Sequence, residues 1–244
     1  MKKYILLSSI LFTAGSLLAA DAMPKGEVTA AALALGNSAN YSWHTVIASP
    51  GGGGRFNGPT DGKTEKAGYT FITMTRGDNT TEAVLQGTNG AVKTPDNGWE
   101  TLAELAKDTG NGNGNGGFNP NAFLARALTN YKTPDAIVTN LVDKVAALKI
   151  DGDAYAGDLT EDGAKSLLSM GRRPGGGAGP DISNAKGSVK FWLKDGLLVK
   201  YELKVSGTVS FNGNDRDVDR TTTVDIKDVG TTKVEVPDEA KKKL

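Results

Sequence analysis

The stretch from Leu197 to Phe211 constrains the fold of this chain more than any other. Every odd residue in it except Gly207 is apolar (Leu197, Val199, Tyr201, Leu203, Val205, Val209, Phe211), and after Leu198 the even positions hold Lys200, Glu202, Lys204, Ser206, Thr208 and Ser210. Side chains of a strand alternate between its faces, so this is a strand with one dry and one wet side. At about 3.3 Å per residue it would run to roughly 50 Å. A compact domain accommodates such a strand only in a sheet that curls. Gly207, the one gap in the apolar face, is where the bend is expected.

The flanking segments register against this strand. A three-residue loop at Lys194-Asp195-Gly196 pairs Leu193, Phe191 and Val189 with Leu197, Val199 and Tyr201. A two-residue Asp-Gly turn would set Lys190 opposite Tyr201 and is disfavoured on that ground. On the other side a Gly213-Asn214 turn pairs Val209 with Val218, Leu203 with Val224 and Tyr201 with Ile226. Thr232, Val234 and Val236 read as a last short strand stopped by Pro237, and 238–244 as a charged tail that frays.

Upstream, Glu27 to Leu35 reads as a helix with Val28, Ala31, Ala32 and Leu35 on one face. Tyr41, Trp43 and Ile47 alternate in a strand. Polar strands follow near Thr60 to Lys66, then Tyr69 to Arg76 and Thr80 to Gln86 meet at Gly77-Asp78, and Ala91 to Thr94 adds a short edge strand. The period then changes. Trp99, Leu102 and Leu105 suggest a helix, Asn119-Pro120 and Thr133-Pro134 are two helix starts, and Phe123, Leu124, Ala127 and Leu128 share a face. The second of these helices continues through Leu148 to a stop at Asp151-Gly152, and Thr160 caps another with Ala164, Leu167 and Leu168 buried. The glycine-rich runs 51–54, 110–117 and 172–180 read as loops. Strands, then helices, then strands give an α+β class: one strongly curved antiparallel sheet, a half-open β-barrel, with the helices as a lid on its apolar side.

Residues 1–22 read as a signal peptide: Lys2 and Lys3 precede an apolar run, and Ala20-Asp21-Ala22 offers a small-x-small cleavage site. The run is interrupted by Ser8, Ser9, Thr13, Gly15 and Ser16 and is short for a membrane span. The expected product is a single domain over 23–244, exported to the periplasm or beyond the cell, soluble and monomeric, without stable membrane insertion. The 28 basic and 28 acidic side chains balance, so no field draws the chain to nucleic acid. Absence of cysteine excludes disulfides, thiolate chemistry and a lipidated N-terminal cysteine.

No constellation for catalysis emerges. His44 is the only histidine and has no relay partners in its strand; Leu167-x-Ser169-x-Gly171 lacks the first glycine of a nucleophile elbow. The acidic run Asp151, Asp153, Asp158, Glu161, Asp162 breaks the calcium-loop pattern at Tyr155 and Ala156, and Gly51 to Gly54 is not followed by Lys-Ser/Thr. No enzyme, metal or cofactor is expected.

The segment 187–237 carries Trp192, Asp195-Gly196-Leu197-x-Val199-Lys200, Gly207, Gly213 and an ending Asp228-x-Gly230-x-x-x-Val234-x-Val236-Pro237. In these features it resembles the lipoprotein-carrier superfamily, the LolA-type carriers and the LppX/LprG-type lipid-binding lipoproteins. The resemblance implies a half-open barrel whose concave face and helical lid hold acyl chains. Without a lipobox cysteine the soluble-carrier form is the one implied. The expected ligand contacts are then Tyr41, Trp43, Phe71, Phe123, Leu141, Phe191, Val199, Tyr201, Leu203 and Phe211. The partner is a lipid or lipoprotein. The competing reading is a non-catalytic structural or interaction protein that fills the same scaffold with its own side chains.

Overall fold

The computed structural model describes residues 16–50, 58–107, 119–169, 180–211 and 213–244, with side chains from Met23 onward except that of Phe211. Residues 1–15 of the expected signal peptide, the glycine runs 51–54 and 110–117, and 172–179 lie outside the described residues. The strands are β1 (Asn40–Ala48), β2 (Thr60–Glu65), β3 (Thr70–Arg76), β4 (Asn79–Gln86), β5 (Asn89–Thr94), β6 (Gly98–Thr101), β7 (Lys149–Asp151), β8 (Ala154–Asp158), β9 (Asp181–Lys194), β10 (Leu197–Phe211) and β11 (Asn214–Lys227). The helices are α1 (Ser16–Asn37), α2 (Leu102–Lys107), α3 (Pro120–Thr129), α4 (Pro134–Val142), α5 (Glu161–Leu168) and α6 (Asp238–Lys241).

All the strands pair antiparallel in one sheet, in the order β6-β5-β4-β3-β2-β1-β11-β10-β9-β8-β7. The two ends do not meet, and the result is the α+β half-open barrel expected from the sequence. Helices α1, α4 and α5 pack on the concave side over β8 to β11, and α2 and α3 pack over β3 to β5. The N-caps follow the local chemistry: Asn119 accepts from the Ala122 amide and Thr160 from the Gly163 amide, while Pro120 and Pro134 open their helices where no amide donor is needed.

The central hairpins depart from the expected registers in an instructive way. The β9–β10 turn is the two-residue Asp195-Gly196 form, with φ of 53° and 76°, and Lys194 pairs with Leu197. A bulge between Leu198 and Lys200 then resets the ladder, so that Phe191 faces Tyr201 and Val189 faces Leu203. The turn disfavoured above is the one used, because one extra residue cancels the slip it would cause. The bulge also gives the core position to Leu198, which is fully buried, and leaves Val199 half-buried. Between β10 and β11, Phe211 pairs with Asn214, which slides the expected register by two: Tyr201 faces Val224, Leu203 faces Thr222 and Val205 faces Arg220. An even slip leaves every side chain on its expected face. A second bulge in β9, with Asn184 at φ 54°, falls opposite Gly207. Leu168 of α5 occupies the space there, and a methyl group on Gly207 would lie 2.7 Å from its Cδ1.

Other boundaries shift for local reasons. Helix α1 extends back to Ser16, through the expected cleavage site and Pro24, although the residues it commits to the core begin at Val28. Strand β5 pairs on both sides; β6 is the edge, and Trp99 belongs to it instead of to a helix. Helix α4 stops at Val142, and the acidic segment after it forms the β7–β8 hairpin around Gly152. Thr232 to Val236 forms no strand, and the tail does not fray. The two cover the convex face, where Val236 and the fully buried Ala240 pack on Val84, Ala91 and Trp99, and Lys243 pairs with Glu104 at 3.1 Å.

Candidate functional site

The pairing registers turn the concave face into rungs that run across the sheet. The lowest complete rung is Ile226, Trp43, Gly62, Ile72, Ala83, Val92, and every member is buried. One rung up lie Tyr201, Val224, Thr45, Thr60, Met74 and Thr81, where burial holds at Tyr201 and Val224 and gives way to half-exposure from Thr45 onward. The next rung is Leu203, Thr222, Ile47, and above it Val205 pairs with Arg220. Strand β1 ends at Ala48, and among the described residues no strand pairs with β11 on that side from Arg220 to its tip. Along β1 and β11 the described concave face therefore passes from buried at its base to half-exposed higher up, while along β10 burial continues through Val205 and Leu168 covers Gly207.

The helices form two groups above these rungs. The core under α1, α4 and α5 and the core under α2 and α3 are separate clusters, and Tyr131, in the loop between α3 and α4, packs against both. Its ring stacks on Trp43 with centroids 6.5 Å apart, and Trp43 meets Tyr41 at 5.5 Å. The Tyr41 hydroxyl donates to Asp135 Oδ1 at 2.5 Å, which ties α4 to β1. Burial raises the Tyr41 and Tyr201 hydroxyls above the ordinary phenol range, with the Asp135 carboxylate adding to the effect at Tyr41, and burial pushes Tyr131 up to about 12.

Arg220 stands out on this surface. Its Nε is buried with no hydrogen-bond partner, and none of the ion pairs among the described residues includes it. Desolvation alone lowers the guanidinium from its usual range. Buried polar groups normally find partners, so the unpartnered Nε calls for an account.

Six of the ten residues expected to contact a ligand, Tyr41, Trp43, Leu141, Phe191, Tyr201 and Leu203, come together in the main core on the concave side, at 8% exposure or less. Val199 is displaced by the bulge as described. Phe71 is corrected: it pairs with Lys63 and Val84 on the convex face and packs toward Val236 and Ala240, since the rung parity places Ile72 inside. Phe123 is half-buried on α3, whose packed face is Ala125 and Leu128; Ala127 points outward. The Phe211 side chain lies outside the described residues.

No family model and no curated protein sequence matches this chain. Its fold is similar to the lipoprotein LppX of Mycobacterium tuberculosis, 14% identical over 89% of this chain and 100% of that one, with a TM-score of 0.49. It is similar also to LprF of Mycobacterium bovis (11% identical, 90% and 98% covered, TM-score 0.45) and to a LolA superfamily protein of Nitrosomonas europaea (11%, 90% and 96%, TM-score 0.32).

The convex face carries His44 and the Asp151 and Asp153 carboxylates, which drew attention as candidate chemistry. His44 Nδ1 lies 2.7 Å from Asp61 Oδ1 across a strand pair. Asp151 pairs with Lys190 at 2.9 Å, Trp192 Nε1 donates to Asp153 at 3.2 Å, and Lys200 sits 5.4 Å above the Trp192 ring. Two open depressions on this side are lined by mixed charge, one including Asp158, Lys186, Lys204 and Asp219, the other Lys63, Asp228, Lys233 and Glu235. These are cross-strand pairs on a wet face.

Sequence reasoning missed Tyr131 and Arg220. Tyr131 sits between two helices with no periodic signal. Arg220 was legible in principle, as a cation in the inward row Val218, Arg220, Thr222, Val224, Ile226.

Proposed function

We propose that this chain is an exported, non-catalytic envelope protein that binds the apolar chain of a lipid or lipoprotein along the concave seam, between the sheet and the helices. The observation that carries the proposal is the gradient of burial on the inner face. The rungs are sealed by aromatics at the base and half-exposed around Ile47, Thr222, Met74 and Val218 at the upper end. An inward apolar face that is left half-covered beside Tyr131 is the kind of concave, mostly apolar surface that accepts a chain. The buried aromatics Tyr41, Trp43, Phe191 and Tyr201 would then form the floor of the site, and a long chain would reach them by displacing Tyr131.

The density of that floor favours one other reading. Phe191 and Tyr201 are at 0% and 2% exposure, as expected of a scaffold filled by its own side chains that serves as an interaction protein. Organic extraction of the purified protein with mass spectrometry, together with native-state emission of the neutral dye N-phenylnaphthylamine, separates the two. Binding predicts co-purifying acyl chains and dye uptake; Tyr131→Ala raises uptake while lowering stability, and Ile47→Trp lowers uptake in a protein that still melts cooperatively. A clean extract and no dye uptake by a cooperatively folded protein would leave the filled scaffold standing.

A further inference from the structure

Arg220 is the one strongly polar group on the concave face for which the described structure supplies no partner. It projects from β11 on the inward parity shared with Val224 and Ile226, opposite Val205, which is at 1% exposure. Its neighbours along the same face are Thr222 and Val218, and Arg216 is the next inward residue beyond them. Asp217 and Asp219 precede it in sequence but have the opposite parity and lie on the wet side, where Asp217 accepts from Thr208. None of the ion pairs among the described residues joins a carboxylate to it.

An arginine cannot shed its proton to escape burial, and a buried guanidinium nitrogen without a partner is costly unless an acceptor meets it. The buried Nε lies next to the point where β1 stops and where, among the described residues, no further strand pairs with β11 on that side. An arginine so placed has Val205 opposite it and the Leu203, Thr222, Ile47 rung below it. That geometry suits a molecule with a charged head and an apolar tail, the head taken in a bidentate pair and the tail lying toward Leu203, Ile47 and Tyr131.

We propose that Arg220 anchors the anionic head group, a carboxylate or phosphate, of an amphiphile whose chain lies in the concave seam. The inference rests on the apolar-ligand reading above and adds the head-group class to it. Threonines 45, 60 and 222 on the neighbouring rungs supply short hydroxyls that an oxyanion or its water shell can use, without adding opposing charge.

The test compares head groups on one chain length, by displacement of N-phenylnaphthylamine from the full mature protein with dodecyl phosphate, dodecanoate and dodecanol, and with inorganic phosphate as the free anion. A charge-assisted bidentate pair predicts that the wild type prefers the two anionic amphiphiles over dodecanol by about tenfold or more. Arg220→Gln brings the three within about threefold by loss of that pair, Arg220→Lys retains part of the preference, and dodecanol binds all of them alike. Arg220→Met, which keeps the packing and removes the charge, raises the melting temperature of the ligand-free protein, whereas an arginine with a structural partner would lower it. Binding of dodecanol and dye with no head-group preference, or a preference that survives Arg220→Gln, overturns the anchor and leaves the apolar site intact. Binding of inorganic phosphate as tight as dodecyl phosphate overturns the amphiphile as the source of the anion. Failure of the wild type to take up dye or any amphiphile overturns the apolar site, and the anchor with it.

Discussion

Gly62 is the position where the rung lattice makes its sharpest quantitative demand. It lies in β2 directly across from Trp43, and a Cβ added there would sit 2.0 Å from Cζ2 and 2.1 Å from Cε2 of the indole. Carbon atoms in contact stand about 3.5–4.0 Å apart, so the ring or the strand must move by about 1.5 Å to admit a single methyl group. Trp43 has little freedom to move, being wedged between Tyr41 and Tyr131 at 3% exposure. Overpacking of this kind costs about 1–3 kcal/mol, and the lower chain entropy of unfolded alanine returns about 0.4–1 kcal/mol, since Gly62 does not need a positive φ. Gly62→Ala should therefore destabilise by about 1–2 kcal/mol, a fall of roughly 2–8 °C in melting temperature for a chain of this size. Urea denaturation followed by far-ultraviolet circular dichroism measures it. In a Trp43→Leu background the obstruction is gone, and the same substitution should be neutral or mildly stabilising, a coupling of about 1–3 kcal/mol across the pair. If Gly62→Ala shifts the midpoint by the same amount in both backgrounds, the methyl does not meet the indole and the β1–β2 register is wrong.

Two further predictions follow from burial on the same face. Tyr41, Tyr131 and Tyr201 hold their protons in the folded state above the unfolded value of 10.0, so their contribution is complete below pH 10 and is lost as the pH rises. Stability should fall by up to about 4 kcal/mol per pH unit between pH 10 and 12, about 1.4 for each tyrosine. Absorbance at about 295 nm should show these three ionising only with unfolding; early ionisation in a folded protein would refute the burial argument. Leu203→Asp places a carboxylate at a position with 8% exposure and should cost about 4 kcal/mol or more, whereas Lys204→Asp, on the exposed side, should stay within about 1 kcal/mol of wild type in the same urea assay. Equal midpoints for the two variants would contradict the face assignment of β10.

Much of the architecture was legible because alternation is a strong signal in a half-buried strand. The faces of β10 and β11, the starts of α3, α4 and α5, and the antiparallel α+β class are all read from spacing and capping residues. What failed is what spacing does not encode. The Asp195-Gly196 turn was rejected for a slip that the bulge at Leu198 cancels, and a bulge leaves no mark in an apolar run where Leu197, Leu198 and Val199 are consecutive. Phe71 and Ile72 are adjacent and both apolar, so the inward one is set by pairing with Gly62 and not by its own chemistry. The docked tail was missed for a similar reason. Ala240 is a small residue among lysines, and only the presence of Trp99 and Val84 on the convex face gives it something to cover.

The contrast between β10 and β11 bears most directly on what the inner face is for. Strand β10 keeps Tyr201, Leu203 and Val205 buried in sequence, which taken alone describes a closed core. Its partner β11 begins the same way at Ile226 and Val224, then places Thr222 and Arg220 on the same inward face, opposite Leu203 and Val205. A scaffold that only needed filling would gain from an apolar residue in place of Arg220, because a buried polar atom without a partner costs on the order of 1–3 kcal/mol. The change of character falls where β1 ends, so polarity and exposure rise together along β11. The concave surface is thus built as a gradient, aromatic and dry at Trp43 and Ile226, threonine-lined in the middle, cationic at Arg220. A gradient of that order matches a ligand that is itself apolar at one end and charged at the other.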